Sequence, residues 1–180
     1  MHRLIPINKT GDIPATYRRN PIGRLLEYHN LSRPPEKYSR AQLLIGMCMD
    51  SRKHLRIPDH FAFILRAGGA NLRYSEFKVS YAIAVGGVSA IALIGHNHCG
   101  MVDLASRKEL FIRGLVQRGG WKKKEAEEHF VNHSMTFEIG SETDFILSEV
   151  KRLRLRYPKV KVAPMLYKVE DNRLYLLREK

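Results

Sequence analysis

Cysteine is nearly absent, with two in 180 residues. That excludes the disulfide framework that holds small secreted domains together. Long apolar runs are missing as well. No stretch approaches the roughly 20 residues needed to cross a bilayer. The N-terminal Met1-His-Arg-Leu-Ile-Pro-Ile-Asn8 lacks the apolar core of a secretory signal. We expect a soluble, cytoplasmic protein with no membrane contact. Tryptophan occurs once, at Trp121, and reads as a packing residue. Acidic residues are few, 18 against 31 Lys and Arg, so the formal charge is +13 and the pI is near 10.0. Such an excess can serve nucleic acid. Here the basic residues are dispersed, with small clusters at Arg18-Arg19 and Lys122-Lys-Lys124, and no RNP, zinc-finger or helix-turn-helix pattern organises them. A nucleic-acid partner is not expected. Repeats and low-complexity tracts are also lacking. A length of 180 residues with 44% hydrophobic content suits a single domain with its own core.

Apolar runs at 42–47, 61–65 and 89–94 read as buried strands. Residues 74–86 and 101–117 carry helical spacing, each stopped by a glycine pair, Gly86-Gly87 and Gly119-Gly120. A charged helix is expected over 121–133, with three lysines at the end where the helix dipole opposes them. Ser141, with Asp144 three residues on, caps a helix over 142–156 that Pro158 ends. A strand over 160–167 contains Pro164, which places it on or near an edge. A short last strand follows at 174–177. Strands alternating with helices predict an α/β domain, a mostly parallel central sheet flanked by helices, over residues 40–180. Residues 1–39 read as an N-terminal arm: irregular to residue 20, then one helix over 21–30 with little of its own to pack on. That arm is expected to cover a neighbouring subunit.

Both cysteines lie where strands end. Gly46-Met-Cys48-Met-Asp50-Ser-Arg52 follows the first strand, and Gly95-His96-Asn-His98-Cys99-Gly100 follows the third. The C-terminal ends of strands are where open α/β sheets build their sites. Cys48, His96 and Cys99 form a thiolate–imidazole–thiolate set of the type that suits zinc. Three protein ligands leave a fourth position for water or a carboxylate. The plain alternative is two small buried hydrophobic thiols. Asp50 could close the fourth position, or pair with Arg52, a fork donor for carboxylates, and leave that position to water. Zinc there generates hydroxide to attack a small electrophilic carbon. His54 and His98 are candidate proton shuttles, against the plain reading of solvent-facing turn histidines. His129 and His133, four apart on one helix, read as a polar face.

Cys48-Met-Asp50-Ser-Arg52, the loop Arg66-Ala67-Gly68-Gly69-Ala70-Asn71 and His96-Asn-His-Cys99-Gly100 together resemble the β-class carbonic anhydrases, over about residues 40–105. The resemblance implies zinc on Cys48, His96 and Cys99, with Asp50 as fourth ligand in a closed state or as the partner of Arg52 in an open one. It implies reversible hydration of carbon dioxide to bicarbonate and a proton. It implies a homodimer as the smallest unit, with pockets at the interface lined by Gly100, Phe63 and Gly68. Two positions depart from the family: the loop lacks its usual first asparagine, and Asn97 stands where Ser or Thr is usual. Both surround the pocket, not the ligands. Relatives of the family hydrolyse carbonyl sulfide or carbon disulfide with the same ligands, so that substrate class is the alternative. A further one is a non-catalytic, zinc-stabilised basic binding module.

Overall fold

The computed structural model describes residues 4–179. Six strands form one sheet: β1 (Leu4–Ile5), β2 (Leu43–Met47), β3 (Ala62–Arg66), β4 (Ala90–His96), β5 (Lys161–Lys168) and β6 (Arg173–Leu177). Their order is β1-β6-β5-β4-β2-β3. The four strands β3, β2, β4 and β5 run parallel, and β6 and β1 extend the sheet by antiparallel pairing. The helices are α1 (Ala15–Arg18), α2 (Pro21–Leu31), α3 (Glu76–Ala84), α4 (Lys108–Gly119), α5 (Lys123–Phe137) and α6 (Glu142–Arg156). The expected α/β architecture with a mostly parallel sheet is what the chain adopts. Among the described residues no helix is long and apolar enough to cross a membrane.

Period-2 alternation sorts the sheet into two apolar layers. Leu43, Ile45 and Met47, with Ala90, Ala92 and Ile94, face the layer that α2 covers through Ile22, Leu25 and Leu26. Leu44, Ile91 and Leu93 face the layer that α3 and α6 cover through Val79, Ala82, Ile146, Val150 and Leu153. Each fully buried aliphatic side chain of this kind contributes roughly 1.5–3 kcal/mol. Gly46 and Gly95 stand one residue before the ends of β2 and β4 because the opposing layer comes too close for a side chain. A Cβ on Gly46 would stand 2.7 Å from Leu72 Cδ1, and one on Gly95 would stand 2.8 Å from Ile146 Cγ1.

Several expectations need correcting. The described part of the N-terminal segment has more of its own chain to pack on than expected. Asn20 caps α2 by accepting from the Ile22 N–H at 2.8 Å, β1 pairs with β6, and Ile7, Ile13 and Ile22 are fully buried in the chain's own core. The C-terminal β5–β6 hairpin, distant in sequence, supplies the surface this segment packs on. Pro164 does not mark an edge, since β5 lies inside the sheet. Its missing N–H is tolerated because the β6 ladder begins one residue later, at Met165↔Leu176. The lysines that open α5 are each paired one turn on, Lys123 with Glu127 at 3.7 Å and Lys124 with Glu128 at 3.9 Å, which offsets the unfavourable dipole. The helix expected over 101–117 begins as a 3-10 turn, Leu104–Arg107, before α4. The cap at Ser141 is present, its Oγ accepting from the Asp144 N–H at 3.3 Å.

Candidate metal centre

The strands β2 and β4 are adjacent and parallel, with Met47 opposite Ile94, so they end side by side. After β2 the chain passes to β3 on one flank and then crosses to β4 on the other. That reversal opens a crevice beyond the carboxyl ends of the strands. Cys48 follows β2 directly, His96 ends β4, and Cys99 sits in the turn beyond. All three are buried, and their ligand atoms lie within 4.8 Å of one another. The two sulfurs are 3.8 Å apart. His96 Nδ1 donates to the Asn97 carbonyl at 2.8 Å, which puts the ring proton on Nδ1. Its Nε2 lone pair is therefore left buried without a partner. An orphaned imidazole nitrogen between two thiols is what a soft divalent cation would satisfy.

The thiols share their protons. The hydrogen bond from Cys99 pulls Cys48 well below the usual thiol range, against the effect of burial. The same bond, together with burial, pushes Cys99 up. The pair thus holds one negative charge readily and resists a second until a cation arrives.

Arg52 engages Asp50 fully. Its backbone N–H donates to Oδ1 at 2.8 Å, its Nε to Oδ1 at 3.0 Å and its Nη2 to Oδ2 at 2.6 Å. These bonds hold the Asp50 carboxyl far below the usual carboxylate range. Asp50 Oδ2 stands 3.6 Å from His96 Nε2. Arg52 Nη2 also donates to the His98 carbonyl at 3.1 Å, tying the two ligand loops together. Arg66, at the end of β3, donates to the carbonyls of Asp50 at 3.2 Å and Lys53 at 3.4 Å. The ligand loop is thus pinned from both sides.

The remaining predicted residues are placed less tightly. The His98 ring bonds Glu170 Oε1 at 2.9 Å and is mostly in solvent, and His54 is exposed. Gly100 is half-buried with open space where a side chain would stand. Gly68 lies under Met101, and both line an apolar cavity of about 300 Å³ with Met49, Leu104, Phe111 and Phe130. Phe63 is 41% exposed and packs over Gly86, on the free edge of the sheet. Trp121 packs against the His129 ring at a centroid distance of 5.1 Å, as a packing residue should.

Three residues at the site escaped sequence reasoning. Glu142 accepts from the Cys99 N–H at 3.2 Å. Glu170, in the β5–β6 turn, receives the Asn97 side-chain amide. Asn97 Oδ1 in turn accepts from the Val169 N–H at 3.0 Å, so the asparagine anchors the ligand turn to that hairpin. Lys53 is buried beside the ligand loop. Pattern alone carries no signal for it, because lysine is rarely buried unpaired.

No family model matches the chain, and no curated protein matches it. Solved structures do. A carbonic anhydrase from Glaciozyma antarctica aligns with a TM-score of 0.58 at 23% identity, over 76% of this chain and 83% of that one. A β-carbonic anhydrase isoform I from Trichomonas vaginalis aligns with a TM-score of 0.63 at 16% identity, over 83% and 91%. The apo form of a carbon disulfide hydrolase aligns with a TM-score of 0.55 at 20% identity, over 78% and 80%. At these identities the shared property is the fold. The chain has the fold of the β-carbonic anhydrases.

Proposed function

We propose that this chain, built on the β-carbonic anhydrase fold, is a zinc enzyme that hydrates carbon dioxide reversibly to bicarbonate and a proton. The observation that carries the reading is the buried His96 Nε2, left without a hydrogen-bond partner beside two thiols while Arg52 binds the Asp50 carboxylate. Cys48, His96 and Cys99 would hold the metal. Zinc bound there would act as a Lewis acid that ionises water, at a higher pH than an all-histidine site because two of its ligands are thiolates. Asp50, kept ionised and oriented by Arg52, accepts a hydrogen bond from water at the site and aims its lone pair at the substrate carbon. It becomes a fourth ligand only by leaving Arg52. His54 and His98, both exposed, carry the released proton to buffer.

The smallest active unit in this reading is a homodimer. Phe63 and Ile64 on the free edge β3, Phe77 and Tyr81 on the neighbouring α3, and Val85 just after it leave a band of large apolar side chains in solvent. An apolar edge strand of that kind needs a cover. A second copy is the simplest one, and it would carry Phe63 to the partner's pocket wall. Sedimentation velocity tests this: a monomer at micromolar concentration would oppose it. Two free thiols 3.8 Å apart suit a reducing compartment such as the cytoplasm.

The apolar cavity lined by Met49, Gly68 and Met101 favours a second substrate class, carbonyl sulfide or carbon disulfide, which are apolar and weakly hydrated. Stopped-flow carbon dioxide hydration on zinc-replete protein, at about pH 7 and about pH 9, separates the readings. Activity at either pH establishes the hydrase. None at both, with one zinc per chain and sulfide released from carbonyl sulfide, establishes the alternative.

A further inference from the structure

Lys53 is 1% exposed, and its Nζ has no hydrogen-bond partner among the described residues. A buried ammonium in that state is costly, and such groups persist where a charge compensates them. Its backbone cannot easily yield. The Lys53 carbonyl is held by Arg66, and Arg52 next to it is locked to Asp50. Within the chain, the charges available to compensate the ammonium lie on and around the ligand loop.

Burial lowers the Lys53 pKa; against it Cys48, Asp50 and Cys99 attract the ammonium, in that order, and Arg66 repels it. Asp50 is already neutralised by Arg52 at 2.6 Å. The thiol pair remains. Two thiolates balance the two charges of a bound zinc ion, so the loaded site is neutral until a monoanion enters, and then carries one net negative charge. Lys53 carries the single positive charge that matches it, in surroundings where charges are poorly screened.

We propose that Lys53 is a positioning residue of this site, whose buried ammonium balances the net negative charge that a bicarbonate-sized monoanion brings to the loaded metal centre and so sets the affinity for such anions. The inference rests on the zinc reading of Cys48, His96 and Cys99. Lys53 touches no reacting atom; it acts through the field it places at the ligand loop.

The test is calorimetric titration of zinc-loaded protein with azide, a monoanion that is not turned over, for the wild type, Lys53→Met, Lys53→Gln and Lys53→Arg. Zinc per chain is measured alongside. Lys53→Met keeps the length and apolar stem of the side chain and removes its charge; Lys53→Gln is a second neutral variant in case the first does not fold. The expected result is an azide affinity about tenfold weaker or more in the neutral variants, at unchanged zinc content, with Lys53→Arg restoring it. A merely structural lysine predicts the opposite pattern, with Lys53→Met equal to wild type and the bulkier Arg worst. Azide affinity within about twofold of wild type in both neutral variants overturns the proposal. Absence of zinc from the wild type itself removes the metal reading and this inference with it, and that failure shows in the metal analysis before any azide is added.

Discussion

His29 makes the fold sensitive to acid, and the size of the effect follows from its contacts. It lies in α2, 4% exposed, with its ring 5.7 Å from that of Tyr167. Its Nε2 donates to the Asn172 carbonyl at 2.9 Å, and its Nδ1 accepts from the Arg56 N–H at 3.1 Å. Only the neutral ring fits. A proton on Nδ1 would face the Arg56 N–H head on. Burial is the main cause that lowers the His29 pKa to about 4, against the pull of the Asn172 carbonyl and with the charges of Arg56 and Arg173 adding to it. The unfolded value is about 6.5. The folded pKa is thus the lower one, and between about pH 6.5 and 4 the unfolded chain binds the extra proton. The stability that this histidine contributes is complete above about pH 6.5 and is lost as the pH falls toward 4. At pH 4.5 the loss amounts to about 2.5 kcal/mol. Urea unfolding of wild type and His29→Gln at about pH 7.5 and pH 4.5 reads it as a double difference. Zinc loss in acid is common to both proteins and cancels. A double difference below about 0.5 kcal/mol would refute the reasoning, since one pKa unit is worth about 1.4 kcal/mol. The contact matters to the site: Arg56 follows Lys53 on the ligand loop, and Asn172 shares a turn with Glu170, so the first loosening in acid falls on the two loops that border the metal centre.

Other outcomes are equally open to measurement. Cys48→Ser and His96→Ala should each lose bound zinc by metal analysis and activity with it, and full activity in Cys48→Ser would remove that residue from the ligand set. Asp50→Ala should keep its zinc and lose about 100-fold or more in turnover; unchanged stopped-flow rates would mean that the Arg52-bound carboxylate takes no part. Gly95→Ala places a methyl group 2.8 Å from Ile146 Cγ1, and chemical denaturation should show a loss of about 1–3 kcal/mol as α6 is pushed from the sheet. A neutral result there would show that α6 can shift without cost.

Much of the molecule was legible because it is written locally. Short apolar runs marked β2, β3, β4 and β5 to within a residue or two, and Ser141 with Pro158 bracketed α6. The donor chemistry of Cys48, His96 and Cys99 named a soft metal before any coordinates, because ligand identity is a property of the side chain itself. The strand ends told where the donors lie, since parallel strands that neighbour one another finish on the same side. Local signals misled where a distant partner decided the outcome. Pro164 reads as an edge residue until β6 is seen to flank β5 on the side away from β4. The segment before β2 reads as an arm until the last hairpin is seen beneath it. Apolar runs and helical spacing thus determined the fold class, and the two motifs at the strand ends named the side chains that the fold brings together. Only the tertiary structure decided that Arg52 binds Asp50 through backbone and side chain, that Asn97 and Glu170 anchor the ligand turn, and that Lys53 is buried without a hydrogen-bond partner. Each of these depends on which residues meet across loops separated in sequence, and burial and electric field belong to that meeting, not to any single stretch of chain.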